Sequence, residues 1–171
     1  PQGLPEFNVR DIPLVSKDDL AVERPGIYYG ELSGKYVIVN TKTPEFDYSQ
    51  GDTNAYIHYE GKGGVLLDNP VKRLLYALKF SDYRIFLSGE ITGESRIMFN
   101  RSIQERVNTI APFLKYDGDP YLVIDEGKLF WILDAYTTSN CFPYSKPYGE
   151  INYMRNSVKV VVDAYEGTID F

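Results

Sequence analysis

The chain has 171 residues, 43% hydrophobic and 25% charged, a composition typical of a globular domain. Its 18 basic and 24 acidic residues give a net charge of −6, which argues against nucleic-acid binding through the phosphate backbone. Cys141 is the single cysteine, so an internal disulfide and a cysteine-cluster metal site are excluded. Fifteen tyrosines and nine phenylalanines give a mild indication of a binding face.

The first half of the chain predicts an N-terminal arm followed by strands. Residues 1–26 contain four prolines without periodicity and predict an extended arm that leads into a single α+β domain, residues 27–171. Residues 27–31 and 36–40 predict a hairpin, because both segments are rich in apolar and β-branched side chains. Residues 43–64 contain four glycines and predict a long irregular loop.

Two main helices are predicted in the middle of the chain. Asn69 followed by Pro70 is typical of a helix N-terminus, and the helix to about residue 80 is expected to dock through Leu74, Leu75 and Leu78. Residues 95–113 predict the second helix from apolar positions three or four apart, with a short helical piece at residues 83–87 between them. We expect an α+β fold in which both main helices pack on one face of an antiparallel, hairpin-rich sheet.

The last third of the chain predicts two further hairpins. Residues 121–125 and 128–134 flank a Glu-Gly turn, and residues 157–165 form a strand followed by a returning arm of only four residues. Strands pair over five or six residues on average, so we expect the domain to be truncated from a larger region. An unpaired strand edge would then permit self-association. The tripeptide Asp-Ala-Tyr stands at the end of two of these strands. Whether the two strands belong to an internal repeat is left open.

An acidic cluster in the predicted loop could supply oxygen ligands to Ca²⁺ through Glu45 and Asp47, with Asp52 and Asn54 nearby. The spacing does not fit an EF-hand, and a solvated acidic loop is the favoured interpretation, so no metal and no cofactor are predicted. His58 is the only histidine, and no nucleophile elbow or phosphate-binding loop is present. A non-catalytic protein is therefore favoured, and no catalytic residue is assigned.

Aromatic side chains cluster in the segment between the last two predicted strands. Within residues 136–153, five rings alternate with Ser, Pro and Gly, which predicts a recognition loop or a loop pinned to the domain by its rings. Arg155, if buried, would need a carboxylate partner such as Asp134. The candidate binding residues are therefore Glu45, Asp47, Asp134, Tyr136, Tyr144 and Arg155.

Several sequence blocks, taken in order along the chain, carry a family resemblance. They include residues 36–42, 44–48, 59–65, 134–137 and 156–165. The chain, from about Leu4 onward, resembles an uncharacterised family of large multi-pass bacterial membrane proteins of unknown function. The resemblance implies a bundle of membrane helices followed by an extracytoplasmic region to which this chain corresponds. It implies a location at the cell membrane and supplies no chemistry.

The sequence thus predicts a non-catalytic binding or assembly module in the extracytoplasmic part of a membrane protein. The expected partners are the remaining segments of that protein, then another protein or an envelope polymer, and not nucleic acid. The rival is a hydrolase-like or transport-linked enzyme completed by residues outside this chain. A deep pocket with convergent carboxylates would favour the rival, and a flat aromatic face would favour the module.

Overall fold

The computed structural model describes residues 9–10, 15–16, 22–50 and 52–171. Most of the predicted N-terminal arm lies outside the described residues. The chain forms two compact units: unit 1 comprises residues 1–34 and 100–171, and unit 2 comprises residues 35–99. Unit 2 is therefore inserted between two segments of unit 1. The assignment of residues 27–171 to one domain stays a prediction.

Strands outnumber helices in the described part of the chain, and the α+β class is confirmed. The elements in chain order are β1 (Val9–Arg10), β2 (Val15–Ser16), β3 (Val37–Val39), β4 (Glu45–Gln50), β5 (Thr53–Ile57), β6 (Val65–Leu66), α1 (Pro70–Phe80), α2 (Arg84–Leu87), β7 (Arg96–Met98), α3 (Ile103–Ile110), β8 (Lys115–Tyr116), β9 (Tyr121–Asp125), β10 (Lys128–Ser139), β11 (Tyr153–Asp163) and β12 (Ile169–Asp170).

Unit 1 is built around the antiparallel pair β10 and β11. The sheet order is β12-β11-β10-β8, and β9 also pairs with β10 in the predicted hairpin. The β10–β11 register contains one bulge at Ala135/Tyr136. Alternate residues on the two strands, among them Leu133 and Val160, are buried, as expected when one face of a sheet packs on a core. β11 pairs with β12 only at Val161 and Val162.

Helix α3 is held to the rest of unit 1 by side chains that bond to backbone carbonyls. Its Ile103 and Val107, four residues apart, are completely buried. The Tyr116 hydroxyl donates to the Val107 carbonyl at 3.1 Å. Arg106 Nε donates to the Gly167 carbonyl at 2.8 Å, in the turn before β12. These contacts hold the helix against both edges of the sheet, at β8 and next to β12.

The chain leaves unit 1 and returns to it at two hydrogen-bonded segments that we call the neck, residues 28–30 and 101–103. The Gly30 amide donates to the Arg101 carbonyl at 3.1 Å, and the Ile103 amide donates to the Gly30 carbonyl at 3.2 Å. Arg101 Nε also donates to the Tyr28 carbonyl at 2.7 Å. The segments before and after the insertion are thus joined within unit 1.

Unit 2 contains a three-stranded sheet in the order β3-β7-β6 and a separate β4–β5 hairpin. Its core includes Leu67, Ala77 and Ile97, all buried. Ser95 is also completely buried, and its Oγ donates to the Asn40 carbonyl and accepts from the Thr92 amide, both at 2.9 Å. Those two bonds satisfy a polar side chain that would otherwise be costly to bury.

A polar cluster lies beside α1 in the same unit. The Tyr36 hydroxyl donates to Asp82 Oδ2 at 2.6 Å, and Arg84 Nε and Nη2 bind the same carboxylate at 2.9 Å each. These bonds, from Arg84 first and then Tyr36, hold the pKa of the Asp82 carboxyl well below its ordinary value. Partial burial, together with the bond to Asp82, raises the pKa of the Tyr36 hydroxyl.

Three sequence predictions about the elements are wrong. Residues 95–113 are not one helix, because Ile97 lies in the central strand β7 and only Ile103–Ile110 is helical. Residues 27–31 do not pair with residues 36–40: the Tyr28 and Tyr29 amides bond to the Ala164 carbonyl, and β3 pairs with β7. The predicted loop of residues 43–64 contains the β4–β5 hairpin.

Helix α1 begins as predicted but presents a different face to the core. The Asn69 side chain accepts from the Val71 amide at 2.7 Å, and Pro70 occupies the first turn. However, Leu74, Leu75 and Leu78 are 45%, 60% and 68% exposed. The helix docks instead through Ala77, with Tyr76 and Phe80 packed against the core. The prediction that the leucines anchor α1 is therefore wrong.

Candidate recognition loop

The loop of residues 140–152, which we call the aromatic loop, joins the two longest strands of unit 1. The β10–β11 ladder runs from Phe130↔Asp163 to Ser139↔Tyr153, so the loop starts where the ladder ends. The Thr137 and Ser157 hydroxyls lie 3.0 Å apart across the two strands. A long paired base of this kind holds the loop at a defined position.

Asn152 organises the interior of the aromatic loop. Its Oδ1 accepts from the Phe142 amide at 2.9 Å, and its Nδ2 donates to the Phe142 carbonyl at 2.8 Å. Its backbone amide donates to the Ser139 carbonyl at 2.8 Å, and its carbonyl accepts from Ser145 Oγ at 2.6 Å. One side chain thus pairs with the loop backbone as a neighbouring strand would, and the loop is ordered without a core of its own.

The rings of the loop divide into two groups. Phe142 and Tyr153 stack with centroids 4.4 Å apart and an interplanar angle of 13°. Tyr144 is fully exposed, and Tyr148 is 88% exposed. Tyr144 also has a φ of 58°, in the left-handed region that is unfavourable for a bulky residue. Strain of this kind concentrates at functional positions, and here it accompanies an outward-pointing ring.

A polar contact lies on the strands that support the loop. Asp134 and Lys159 face each other in register on β10 and β11, with Lys159 Nζ 2.8 Å from Asp134 Oδ1. The same ammonium group donates to the Tyr121 hydroxyl at 3.1 Å and lies 5.3 Å from the centroid of that ring. Asp134 first, then Tyr121, raises the pKa of Lys159 far above its ordinary value, so this group stays charged at neutral pH.

The structure does not join the candidate residues of unit 1 in one site. Arg155 is exposed and stands in register with Thr137, while Asp134 pairs with Lys159, so the condition for an Arg155–Asp134 pair, a buried arginine, is not met. Tyr136 follows the bulge in β10 and is half-buried. Tyr144 lies in the aromatic loop. Among the predicted candidates, Tyr144 is the one whose side chain is fully exposed in a loop.

The two acidic candidates belong to unit 2. Glu45 Oε1 accepts from the Asn40 amide at 2.6 Å, so this carboxylate closes the turn before β4. Asp47 occupies the irregularity between Phe46 and Tyr48 in the β4–β5 hairpin and is exposed. Among the described residues, no three His, Cys, Asp or Glu side chains are grouped closely enough to hold a metal ion.

A small cavity in unit 1 contains carboxylates but offers little space. It has a volume of about 80 Å³ and is lined in part by Arg24, Lys128, Asp163 and Glu166. Asp163 Oδ1 accepts from the backbone amides of residues 165 and 166 at 2.8 Å each. This carboxylate therefore shapes the turn before β12, and the cavity is smaller than sites that enclose organic ligands.

Sequence reasoning missed the residues that organise the site. Lys159 and Tyr121 approach Asp134 through strand register, for which the sequence carries no direct signal. Asn152 was detectable in principle, because an Asn beside aromatic and Ser residues in a loop is a common backbone partner. The arrangement as a whole offers contact area and hydroxyl groups, which suits binding.

The comparisons with known proteins identify the family. The model of Uncharacterised protein family UPF0182 matches residues 1–171. The chain belongs to the UPF0182 family. It is 59% identical over 172 aligned residues to the UPF0182 protein of Geobacter sp. strain M21, 54% identical to that of Pelotomaculum thermopropionicum, and 49% identical to that of Clostridium tetani. Each alignment covers 99% of this chain.

The UPF0182 relatives are much longer than this chain. The chain spans about 19% of the length of each of these three relatives, which is consistent with a larger protein. No solved structure matches this UPF0182 chain. Within residues 22–50 and 52–171, no helix combines the length and the apolar character needed to cross a bilayer.

Proposed function

We propose that this chain is a non-catalytic binding module in the extracytoplasmic part of a larger membrane protein. In this proposal its aromatic loop docks against another segment of the same polypeptide. The observation that carries the proposal is the combination of fully exposed tyrosine rings with a loop that is already ordered. Tyr144 and Tyr148 project from a backbone fixed by Asn152 and Ser145.

The chemistry of the loop supports a protein surface as the partner. Tyrosine supplies a large, rigid contact area at low entropic cost, and the neighbouring Ser and Asn side chains supply hydrogen bonds, as in antibody-binding loops. A loop that is ordered before binding loses less conformational freedom when it docks. Only the tyrosine side chains themselves need to become fixed here.

The length of the relatives supports an intramolecular partner. About four fifths of each related protein lies outside the matched segment, so the module has a large surface of its own polypeptide within reach. The resemblance of residues 36–48 and 156–165 to multi-pass membrane proteins supports the extracytoplasmic membrane setting. A tethered partner is present at high effective concentration, so even a modest contact area is sufficient for docking.

Cys141 allows the proposal to be tested directly. It is the only cysteine, it is exposed, and it lies in the aromatic loop. We would attach a photoreactive maleimide to Cys141 and mix the chain with the detergent-solubilised Geobacter sp. strain M21 relative from which the matching segment has been deleted. Illumination should cross-link the two, and Tyr144→Ala combined with Tyr148→Ala should reduce the yield about tenfold or more, as expected for central aromatic anchors.

Tyr56→Ala provides the matched control. Tyr56 is also an exposed tyrosine, but it lies on β5 in unit 2. Its removal should leave the cross-linking yield unchanged. The proposal is wrong if no light-dependent product forms. It is also wrong if the chain with both Tyr144→Ala and Tyr148→Ala cross-links as well as the unsubstituted chain, because the aromatic loop is then not the docking element.

A further inference from the structure

Helix α1 directs its most apolar face outward. Val71, Leu74, Leu75 and Leu78 are 60%, 45%, 60% and 68% exposed. Their spacing of three and four residues places them on one stripe, about 100° wide, along the helix. The opposite side of α1 already supplies the contacts with the core of unit 2, through Ala77 and its neighbours. Folding of this unit therefore leaves an aliphatic stripe in water.

The second helix of unit 2 carries three more exposed apolar side chains. Tyr83, Phe86 and Leu87 at α2 are exposed, and the Asp82 amide donates to the Ala77 carbonyl at 2.9 Å, which fixes the start of α2 against the end of α1. Seven large apolar side chains within residues 71–87 are thus exposed. Scattered apolar residues are ordinary on protein surfaces, but four on one helical stripe with three more on the next helix form a large exposed apolar group, and such a group marks an interaction site. We call it the α1–α2 face.

The charges around the α1–α2 face are opposite in sign to those of the whole chain. Residues 68–84 contain four basic and two acidic side chains, in a chain of net charge −6. Lys72 and Lys79 lie two turns apart along the same margin of the stripe. Lys72 Nζ is 2.7 Å from Asp68 Oδ1, and Lys79 Nζ is 4.0 Å from the Phe99 ring centroid. With Val65, Leu75 and Tyr76, these lysines line a shallow groove of about 380 Å³.

The chemistry of the stripe distinguishes among possible occupants. Its four aliphatic side chains offer no hydrogen-bonding group, and the backbone of α1 is bonded within the helix. A protein interface carries about one hydrogen bond per 100–200 Å², whereas hydrocarbon requires none. A second copy of the chain would bring two positively charged faces together. An anionic surface with an apolar interior is complementary both to the excess of basic side chains and to the leucines.

We propose that the α1–α2 face docks onto the surface of an anionic phospholipid bilayer. Both helices lie in the plane of the interface, with the leucine stripe at the boundary between headgroups and acyl chains, as in amphipathic interfacial helices. Lys72 and Lys79 extend to the headgroup phosphates, and the aromatic rings of α2 occupy the interfacial layer. This inference is independent of the aromatic loop, which lies in unit 1.

Vesicle flotation tests the inference with the 171-residue chain. The probes are vesicles of phosphatidylcholine with 30% phosphatidylglycerol, and vesicles of phosphatidylcholine alone. We expect the chain to float with the anionic vesicles. Leu75→Asn combined with Leu78→Asn should lower the partition coefficient about tenfold or more. Lys72→Gln combined with Lys79→Gln should lower it by about fivefold per lysine on anionic vesicles, and high salt should do the same to the unsubstituted chain.

Phe113→Asn is the matched control, since Phe113 is 77% exposed in unit 1. It should leave flotation unchanged. All four substituted side chains on α1 are at least partly exposed, and unchanged denaturant midpoints would show that each variant is folded. The inference is overturned if the chain does not float, or if the leucine variants float as well as the unsubstituted chain. It is also overturned if sedimentation shows a dimer that only the leucine variants abolish, because the face would then belong to a second copy.

Discussion

Replacing Gly167 with alanine should destabilise unit 1 strongly, because two separate features of the structure exclude a side chain there. Gly167 has a φ of +72°, where a residue with a Cβ is strained by about 1–2 kcal/mol. An added Cβ would also lie 2.5 Å from two carbon atoms of the Tyr29 ring. Tyr29 is only 1% exposed, so its ring is enclosed by protein and cannot swing out into solvent.

The magnitude follows from adding these two effects. Overpacking of a buried site costs about 1–3 kcal/mol, so together with the backbone strain we expect Gly167→Ala to lower the free energy of unfolding by about 2–5 kcal/mol. The Arg106 guanidinium lies 4.6 Å from the Tyr29 ring centroid and donates to the Gly167 carbonyl at 2.8 Å. It therefore braces the ring and the turn together and limits their relaxation.

Urea unfolding monitored by the fluorescence of Trp131, the only tryptophan, measures this loss. The indole Nε1 donates to the Tyr29 carbonyl at 3.0 Å, so the fluorophore reports on the same region. Gly118→Ala is the control, because no heavy atom lies within 4 Å of the Cβ position there, and it should change stability by less than about 0.5 kcal/mol. A Gly167→Ala change as small as that of Gly118→Ala would refute the reasoning.

Three further predictions concern unit 2. Ser95→Ala leaves the half-buried Asn40 carbonyl without its hydroxyl donor and the Thr92 amide without its acceptor, and should cost about 1–3 kcal/mol, measured as a shift in denaturant midpoint; a loss below about 0.5 kcal/mol would contradict this. Leu75→Ala should change the free energy of unfolding by less than about 0.5 kcal/mol, since the side chain is exposed, and a loss above about 2 kcal/mol would contradict the assigned face. Tyr36→Phe should lower stability at pH 7, where Asp82 is ionised. Because the pKa of Asp82 in the folded chain is held well below its ordinary value, the carboxylate stays ionised and bonded to Tyr36 even at about pH 3. The difference in stability between the two proteins should therefore persist from pH 7 to about pH 3 and shrink only in stronger acid; a difference that has already vanished at about pH 4 would exclude the mechanism.

Local chemistry in the sequence was sufficient to predict several elements. The Asn69 cap, the β9–β10 hairpin at its Glu-Gly turn and the aromatic loop all depend on residues close together in the chain, and the structure contains each of them. Periodicity was misleading for residues 95–113, where apolar positions of a short strand continue into those of α3. Apolar spacing also cannot show which side of a helix meets a core when, as in α1, two sides are apolar.

Long-range register was beyond the reach of a single sequence. The partner of Asp134 depends on the alignment of β10 with β11, which places Lys159 opposite it and Arg155 near Thr137. The strand β7 likewise forms because β3 and β6 flank it, and the paired residues of those strands are thirty or more positions away in the sequence. In both cases tertiary pairing, and not intrinsic propensity, determines the outcome.

The neck has a consequence for the order of events during synthesis. Unit 2 is continuous in sequence, so its contacts are complete within residues 35–99 and can form while the later residues are still on the ribosome. Unit 1 must wait, because the Tyr28 amide bonds to the Ala164 carbonyl near the other end of the chain. Once unit 2 has folded, the pairing of β3 with β7 holds its first and last residues close together. Joining residues 28–30 to residues 101–103 then costs less conformational entropy than closing the same stretch as a long flexible loop. Folding of the inserted unit thereby assists the closure of the unit whose two segments flank it in the sequence.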